Sequence, residues 1–389
     1  MLAVLAPGQG AQTPGMLAPW LDVPGAEEQL GGFSEICGLD LRRLGTTADA
    51  GEIRDTAVTQ PLIVALGLLA AAHLDLTGEA IVVAGHSVGE LTAASVAGAL
   101  TPTDAVAFAA RRGAEMAGAC AITPTGMSAV LGGDPDEVVA AITAAGLTAA
   151  NRNGAGQIVA AGAIDVLGKL AENPPAGTRI RQLPVAGAFH THYMSPAEDA
   201  LADFSQSLTA RNPTHMFLSN ADGLALSTGH GVLARLVRQV TRPVRWDLCL
   251  DTMRHLKVNA AIELPPAGTL TGIAKRELPG IALVAVKTPE DLDAARAELH
   301  TESHPPQAEH TPEFYVVVSP AKGTFHPRVD VSEGDQVAAG TQLGVITTNR
   351  DEHPVAAGAS GILAEWVRHE GDIVGAGLPV ARLHFGSEA

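Results

Sequence analysis

Ala80-Ile81-Val82-Val83-Ala84-Gly85-His86-Ser87-Val88-Gly89-Glu90 passes directly from an apolar, strand-like run into a turn. The residues that follow, Leu91 to Leu100, are small and apolar enough to form a packed helix. A serine between glycines on such a strand-to-helix turn is lifted out of the backbone, which is the geometry of a nucleophile elbow. The free N–H groups and dipole of that helix then favour negative charge building up beside Ser87. Chance G-x-S-x-G matches occur in any Gly-rich chain, so the strand before and the helix after give this one its weight.

Outward from this turn, residues 1 to about 290 alternate strand-like and Ala-rich helical runs, the pattern of an α/β unit with a mainly parallel sheet. Met1-Leu2-Ala3-Val4-Leu5-Ala6 reads as its first buried strand, being too short for a signal peptide and lacking a basic start. Residues 123–186 keep a rhythm of their own. Strands are expected at Gly126–Leu131, Thr148–Asn151 and Gln157–Gly162, with helices at Asp134–Ala145 and 163–172. This βαββαβ-like order predicts a small inserted α+β subdomain. The polar, Pro-rich Thr301 to Pro312 reads as a linker within 291–312. In 313–386 the composition shifts to short Val-rich strands, and Gly334-Asp335-Gln336-Val337 recurs as Gly371-Asp372-Ile373-Val374, 37 residues on. Two copies of one strand-turn-strand unit predict a compact antiparallel β-sandwich of two related halves.

At 389 residues, 46% of them apolar, the chain is long enough for two or three domains with ample cores. It has no apolar run of membrane-spanning length. A net charge of −17 argues against general binding to nucleic acid or anionic membranes. An acidic protein partner would have to meet a local basic patch. Arg235, Arg238, Arg242 and Arg245 are one candidate, and they read equally as a solvated helix face. Three widely spaced cysteines (Cys37, Cys120, Cys249) argue against a disulfide framework or a metal cluster, and point to the cytoplasm.

Ser87 as a nucleophile needs a base, an oxyanion site and a selector of substrate. His190 lies between strand-like Gln182-Leu183-Pro184-Val185 and the helix start Ser195-Pro196-Ala197, so it is expected at a strand end, where open α/β sheets gather their sites. A satisfied core histidine is the bland alternative. A metal-binding His190-x-His192 lacks a carboxylate or cysteine companion nearby. Gly8-Gln9-Gly10-Ala11-Gln12 ends the first strand, and its glycines let backbone N–H groups turn towards a ligand, although an ordinary Gly-rich turn reads the same way. Arg111-Arg112 lies in a helical pattern, Thr103 to Met116. It is either a surface pair or an arginine facing the site to bind a substrate carboxylate.

In order along the chain, Gly8–Gln12, Gly85–Glu90, Arg112-Gly113 with Met116, and Ala188-Phe189-His190 with Met194 resemble the motifs of the malonyl-CoA:acyl carrier protein transacylase family. Asn151–Gln157, Arg238-Gln239 with Pro243-Val244-Arg245-Trp246, and Gly268–Gly272 with Lys275-Arg276 add to the match, which covers about 1–290. The resemblance implies an α/β-hydrolase-like core with a ferredoxin-like insert. It implies Ser87 as nucleophile, His190 as general base oriented by the backbone carbonyl of Gln239, and an oxyanion hole from the N–H groups of Gln9 and Val88. Arg112 would hold the malonyl carboxylate, with Gln12, Phe189 and His86 also contacting substrate. Phe189 fits the malonyl-type Ala-Phe-His pattern, and a methyl group is worth only roughly 1–3 kcal/mol of discrimination. Leu264-Pro265-Pro266-Ala267-Gly268 departs from the family's usual Gly-Pro-Gly turn.

The expected function is transfer of malonyl from malonyl-CoA to the phosphopantetheine thiol of an acyl carrier protein, with no bound cofactor or metal. The alternatives are a serine hydrolase such as an editing thioesterase, or a non-catalytic scaffold. The tail, from Val318-Ser319-Pro320-Ala321-Lys322-Gly323 onward, resembles a biotinyl/lipoyl carrier domain. Arg350 stands where the modified lysine belongs, so no biotin or lipoate is expected. The role implied for the tail is docking, to a carboxylase or within a synthase assembly.

Overall fold

The computed structural model describes residues 1–76, 81–299, 314–348 and 351–384. The chain divides into two compact units, Met1–Pro306 and Gln307–Ala389.

The first unit is built on two strands with no exposed face, Leu2–Ala6 (β1) and Ile81–Gly85 (β2), which pair in parallel from Leu2↔Ile81 to Ala6↔Gly85. Such continuous apolar strands belong at the centre of a parallel sheet covered on both sides. Between them lie α1 (Ala26–Cys37), α2 (Leu41–Thr46) and α3 (Thr56–Ala71), the last buried almost all round. After β2 come α4 (Gly89–Val96) and α5 (Pro102–Cys120). α4 stops early because Gly98 turns the chain with φ 81°. α5 is capped by Thr101, whose hydroxyl accepts the Asp104 N–H at 3.0 Å. It lies close against α3 at Gly113, where a Cβ would stand 2.7 Å from the Thr56 carbonyl oxygen.

The next segment follows the expected order: β3 (Thr125–Gly132), α6 (Pro135–Ala144), β4 (Thr148–Gly154), β5 (Gln157–Ala163), α7 (Ile164–Glu172) and β6 (Thr178–Gln182). β3 pairs antiparallel with β5 on one side and β6 on the other, and β4 pairs antiparallel with β5. Strand alternation sends Val130 and Ile158 into a core with Val138, Ile142, Leu167 and Leu170 of the two helices. Met127, Val159 and Ala161 point the other way and join the main core.

The remaining elements of this unit are α8 (Ser195–Ser205), β7 (Met216–Leu218), β8 (Ala225–Leu226), α9 (Gly229–Arg238), β9 (Val244–Arg245), α10 (Trp246–His255), β10 (Ala260–Glu263), α11 (Thr269–Glu277), β11 (Ala282–Ala285) and α12 (Leu292–Leu299). Among the described residues the large sheet has six strands in the order β11-β10-β1-β2-β7-β8, parallel except for the β7–β8 pairing. Val4 and Val83 face the main core, while Ala3, Leu5 and Val82 face a second core with Trp246 and Leu250.

Three expectations are corrected. The small sheet is not complete within 123–186, because β9 joins β4 in parallel (Asn151↔Val244) and locks the two sheets' segments together. The linker does not begin at 291: α12 buries Leu292, Ala295 and Leu299, an apolar stripe at helical spacing that packs on the main core. Thr301 to Pro312 lies outside the described residues. The candidate basic patch is partly neutralised, since Arg235 pairs with Asp222 at 2.6 Å and Arg245 with Asp247 at 2.9 Å. No helix among the described residues is long and apolar enough to cross a membrane.

The second unit is all-β, with β12 (Phe314–Val318), β13 (Gly323–Pro327), β14 (Gln336–Val337), β15 (Gln342–Thr347), β16 (Glu352–Ala356), β17 (Gly361–Trp366), β18 (Ile373–Val374) and β19 (Pro379–His384). Its two antiparallel sheets run β12-β19-β17-β14 and β16-β15-β13-β18. The sequence repeat becomes a structural one. Gly334 and Gly371 both turn at positive φ, and β14 and β18 take equivalent edges, each burying its valine, Val337 or Val374, between the sheets. Arg350 lies outside the described residues.

Candidate active site

Ser87 sits at the end of β2 with φ 53°, a strained left-handed conformation for a residue with a side chain. The neighbouring glycines make that turn possible. A Cβ on Gly85 would meet the Gly89 carbonyl carbon at 2.0 Å, and one on Gly89 would meet the Ala6 carbonyl oxygen at 2.2 Å. The Ser87 N–H donates to Asn220 Oδ1 at 2.8 Å, and Asn220 Nδ2 donates to the Gly85 carbonyl at 2.8 Å, so Asn220 staples both sides of the elbow. Gly8 lets the loop after β1 press against this turn, since a Cβ there would lie 2.4 Å from the His86 carbonyl oxygen. Among the described residues the backbone N–H groups of Gln9 and Val88 donate to no protein acceptor. Val88 follows Ser87 directly and Gln9 follows the glycine that presses on this turn, and unpaired donors are what a developing oxyanion needs.

His190 is brought to Ser87 from 103 residues away, with Nε2 2.8 Å from Ser87 Oγ. Its Nδ1 is 2.8 Å from the Gln239 carbonyl oxygen, which can only accept, so Nδ1 carries the proton and Nε2 offers its lone pair to the serine. The expectation of a strand end is corrected here. β6 stops at Gln182, and His190 stands eight residues later in a turn, at φ 61°. Pro184 has no N–H to extend a ladder. The turn is held instead by Ala188 N–H on Thr125 Oγ1 at 3.0 Å and Thr191 Oγ1 on the Ala188 carbonyl at 2.6 Å. Burial, and next the Arg112 guanidinium, push the His190 imidazole down to about 3, against the pull of Gln239. The ring is therefore neutral at ordinary pH, with its Nε2 lone pair facing the serine.

Arg112 is not a surface residue. It is only 1% exposed, where α5 meets α3. Nη1 donates to Gln60 Oε1 at 2.7 Å, and Nη2 donates to Gln239 Oε1 at 2.7 Å and to Ser87 Oγ at 3.3 Å. All three partners are neutral. Burial lowers its pKa to about 10 and the nearby Glu90 carboxyl pulls it back, so the guanidinium stays charged at neutral pH. A buried cation held only by neutral acceptors is poised for an anion.

The other residues singled out by sequence fall into place unevenly. His86 Nε2 meets Asn153 Oδ1 at 2.8 Å, and Asn153 Nδ2 donates to Gln157 Oε1 at 3.1 Å, which orients the amide and so fixes the histidine tautomer. Burial lowers the His86 pKa. Gln9 Nε2 donates to Thr56 Oγ1 at 3.2 Å. Phe189 is 6% exposed and packed into the main core beside His190. Gln12 stands apart from the cluster: its Oε1 accepts the Gly10 N–H at 2.7 Å and braces its own loop.

Sequence reasoning missed Gln60, Asn220 and the role of Glu90. Gln60 had a signal, a lone amide in the apolar run of α3. Glu90 is 1% exposed; its Oε1 accepts the Asn220 N–H and its Oε2 accepts from Gln239 Nε2. Burial pushes its carboxyl up to about 8 against those two hydrogen bonds.

Residues 5–299 match the family model described as acyl transferase domain, and 316–383 match one described as biotin-requiring enzyme. The malonyl CoA-acyl carrier protein transacylase of Mycobacterium bovis is 56% identical over 297 residues, covering 75% of this chain and 98% of that protein. The crystal structure of a Mycobacterium tuberculosis protein, MCAT, is 56% identical with a TM-score of 0.75, covering 76% of this chain and 99% of that one. A malonyl-transacylase in complex with its type II PKS acyl-carrier protein is 27% identical with a TM-score of 0.71, covering 76% of this chain and 99% of its own.

Proposed function

The chain belongs to the acyl transferase family, among the malonyl CoA-acyl carrier protein transacylases, and from that premise we propose that Ser87 ferries malonyl between two thiols. The protein is an acyl carrier protein S-malonyltransferase that takes its acyl group from malonyl-CoA. His190 Nε2 removes the Ser87 proton as Oγ attacks the thioester carbonyl, and returns it to the departing CoA thiolate. The N–H groups of Gln9 and Val88 receive the oxyanion. In the second half-reaction the carrier's phosphopantetheine thiol gives its proton to His190 and attacks the acyl-serine; the Ser87 Oγ–acyl bond breaks, His190 returns the proton to Oγ, and malonyl-carrier leaves. Arg112 grips the free carboxylate throughout, with Phe189 packed beside His190; His86 ties the elbow to Asn153, and Gln12 braces the loop that carries Gln9.

The observation that carries this reading is the buried Arg112, hydrogen-bonded only to neutral acceptors and within hydrogen-bond reach of Ser87 Oγ. It favours transfer of an acid-bearing acyl group over hydrolysis of neutral esters. The transacylase relatives point the same way and give the hydrolase and scaffold readings no support. Incubation with malonyl-CoA and a holo acyl carrier protein is expected to give malonyl-carrier in excess over free malonate. The reverse ratio would make the protein a hydrolase.

The large sheet with its β2–Ser87–α4 elbow supports an α/β-hydrolase-like core, and the order β6-β3-β5-β4 supports a ferredoxin-like insert. We place the boundary of the catalytic unit after α12 and the start of the carrier-like unit near β12. The transfer serves fatty-acid or polyketide synthesis in the cytoplasm, a compartment supported by three cysteines that form no disulfide.

The tail does not fit a covalently held biotin or lipoate. The sequence between β15 and β16 reads Thr348-Asn349-Arg350-Asp351, and a guanidinium does not form the required amide. The single lysine of this unit, Lys322, is exposed in the turn before β13 instead. The proposed role is docking, to a carboxylase or within a synthase assembly. Intact mass of protein from biotin- and lipoate-replete cells is expected to equal the unmodified sequence, and an added biotinyl or lipoyl mass would reverse this reading.

A further inference from the structure

Gln239 does two jobs with different atoms. Its backbone oxygen orients His190, while its side-chain Oε1 accepts from Arg112 Nη2 at 2.7 Å. The side-chain amide has the same shape when flipped, so only its partners decide which end faces the arginine. Nε2 donates to the Ser87 carbonyl at 2.9 Å and to Glu90 Oε2. Glu90 cannot turn away, because its Oε1 accepts the backbone N–H of Asn220, a donor fixed in place. Asn220 in turn holds the Ser87 N–H. Glu90, at the start of α4, is thus the buried acceptor on which the amide end of Gln239 rests, and it touches neither Ser87 Oγ nor His190.

We propose that Glu90 is a positioning residue: it fixes the Gln239 amide with its oxygen towards Arg112, and so sets the preference for acyl groups that end in a carboxylate. This rests on the malonyl-transfer reading above.

Glu90→Gln keeps the shape and reverses one contact. Its oxygen must still face the Asn220 N–H, so its NH2 is driven against Gln239 Nε2, donor to donor. Relief by flipping Gln239 turns an NH2 on Arg112 and another conflict arises there. Glu90→Leu removes the acceptor and adds no opposing donor, leaving the Ser87 carbonyl and Arg112 to orient Gln239.

The test measures kcat/KM for Ser87 acylation by malonyl-CoA and by acetyl-CoA, at about pH 9 so that Glu90 is ionised in the wild type. The malonyl-to-acetyl ratio is expected to fall at least about tenfold in Glu90→Gln through a raised KM for malonyl-CoA, and less in Glu90→Leu. Acetyl-CoA acylation should stay within about threefold, because His190 leans on the Gln239 backbone. In a Gln239→Leu background, Glu90→Leu should no longer move the ratio. That arm stands even if Glu90→Gln fails to fold. Equal losses for both substrates, an unchanged ratio, or a full Glu90→Leu effect without the Gln239 amide would each overturn the proposal. A wild type that does not distinguish malonyl from acetyl would instead refute the malonyl-transfer reading.

Discussion

Ser87→Ala is expected to leave no malonyl adduct after incubation with malonyl-CoA, and to reduce transfer to a carrier by at least about 10⁴-fold. The substitution keeps the Cβ, so the φ of 53° at the elbow is no more strained than before and the fold should survive. What disappears is the one oxygen within 2.8 Å of His190 Nε2. The three thiols do not replace it. Burial pushes the Cys37 and Cys120 thiols up to about 11, and the Cys249 thiol well above its ordinary range, so none supplies a useful thiolate near neutral pH. The oxyanion donors and Arg112 remain, so malonyl-CoA should still bind, and binding without acylation is the signature to look for. Intact mass reads the adduct directly. An adduct that persists in Ser87→Ala would move the nucleophile elsewhere in the chain.

The elbow was legible because its physics is local. Gly85 and Gly89 answer to contacts within a few residues or with the adjoining strand, and an apolar strand before a small-residue helix announces where the serine will point. The inserted subdomain was legible for a similar reason, since alternation and helical periods mark its elements from Thr125 to Glu172; the mostly exposed β6 carries no such pattern. The pairing of Ser87 with His190 and of Arg112 with Gln239 is not written in any period. Those residues meet only after chain segments more than a hundred residues apart have folded; resemblance alone linked the first pair, and nothing in the sequence announced the second. Glu90 misleads by position: an acid in the first turn of a helix reads as a solvated group favoured by the dipole, whereas α4 is buried and the carboxylate faces inward. β9 is two residues long and carries no strand signal, yet it ties Arg245 and Asn220 to the site through the Arg245 N–H on the Asn220 carbonyl at 2.7 Å. The helix at Leu292–Leu299 carries its apolar stripe in the sequence, directly before the polar, Pro-rich Thr301 to Pro312 from which the linker is read.

Arg112→Ala is expected to lower kcat/KM for malonyl-CoA on the order of 100-fold while leaving acylation by acetyl-CoA within a few-fold. The reasoning starts from where the guanidinium is. It is buried against α3, paid in hydrogen bonds by Gln60 Oε1, Gln239 Oε1 and Ser87 Oγ, none of which carries charge. A malonyl carboxylate arriving on Ser87 supplies the missing anion at short range and away from water. Losing such a charge-assisted pair costs about 3 kcal/mol, and each 1.4 kcal/mol is roughly tenfold. An acetyl group offers nothing to the arginine and so has nothing to lose. Two side effects separate this role from simple damage. Arg112 is, after burial, the main influence holding the His190 pKa down. Its removal should raise the imidazole towards its ordinary value and shift the acid limb of acetyl-CoA acylation to higher pH, since more of the base is then protonated at a given pH. The amide oxygens of Gln60 and Gln239 are also left without their donor, at a cost of about 1–3 kcal/mol each in stability, which a thermal melt should register. Arg112→Lys separates charge from geometry: one ammonium cannot span both amide oxygens and a carboxylate as the planar fork does, so malonyl activity should fall between wild type and Arg112→Ala. Equal losses with malonyl-CoA and acetyl-CoA would make Arg112 a structural buttress, and malonyl transfer at the wild-type rate in Arg112→Ala would remove it from substrate selection altogether.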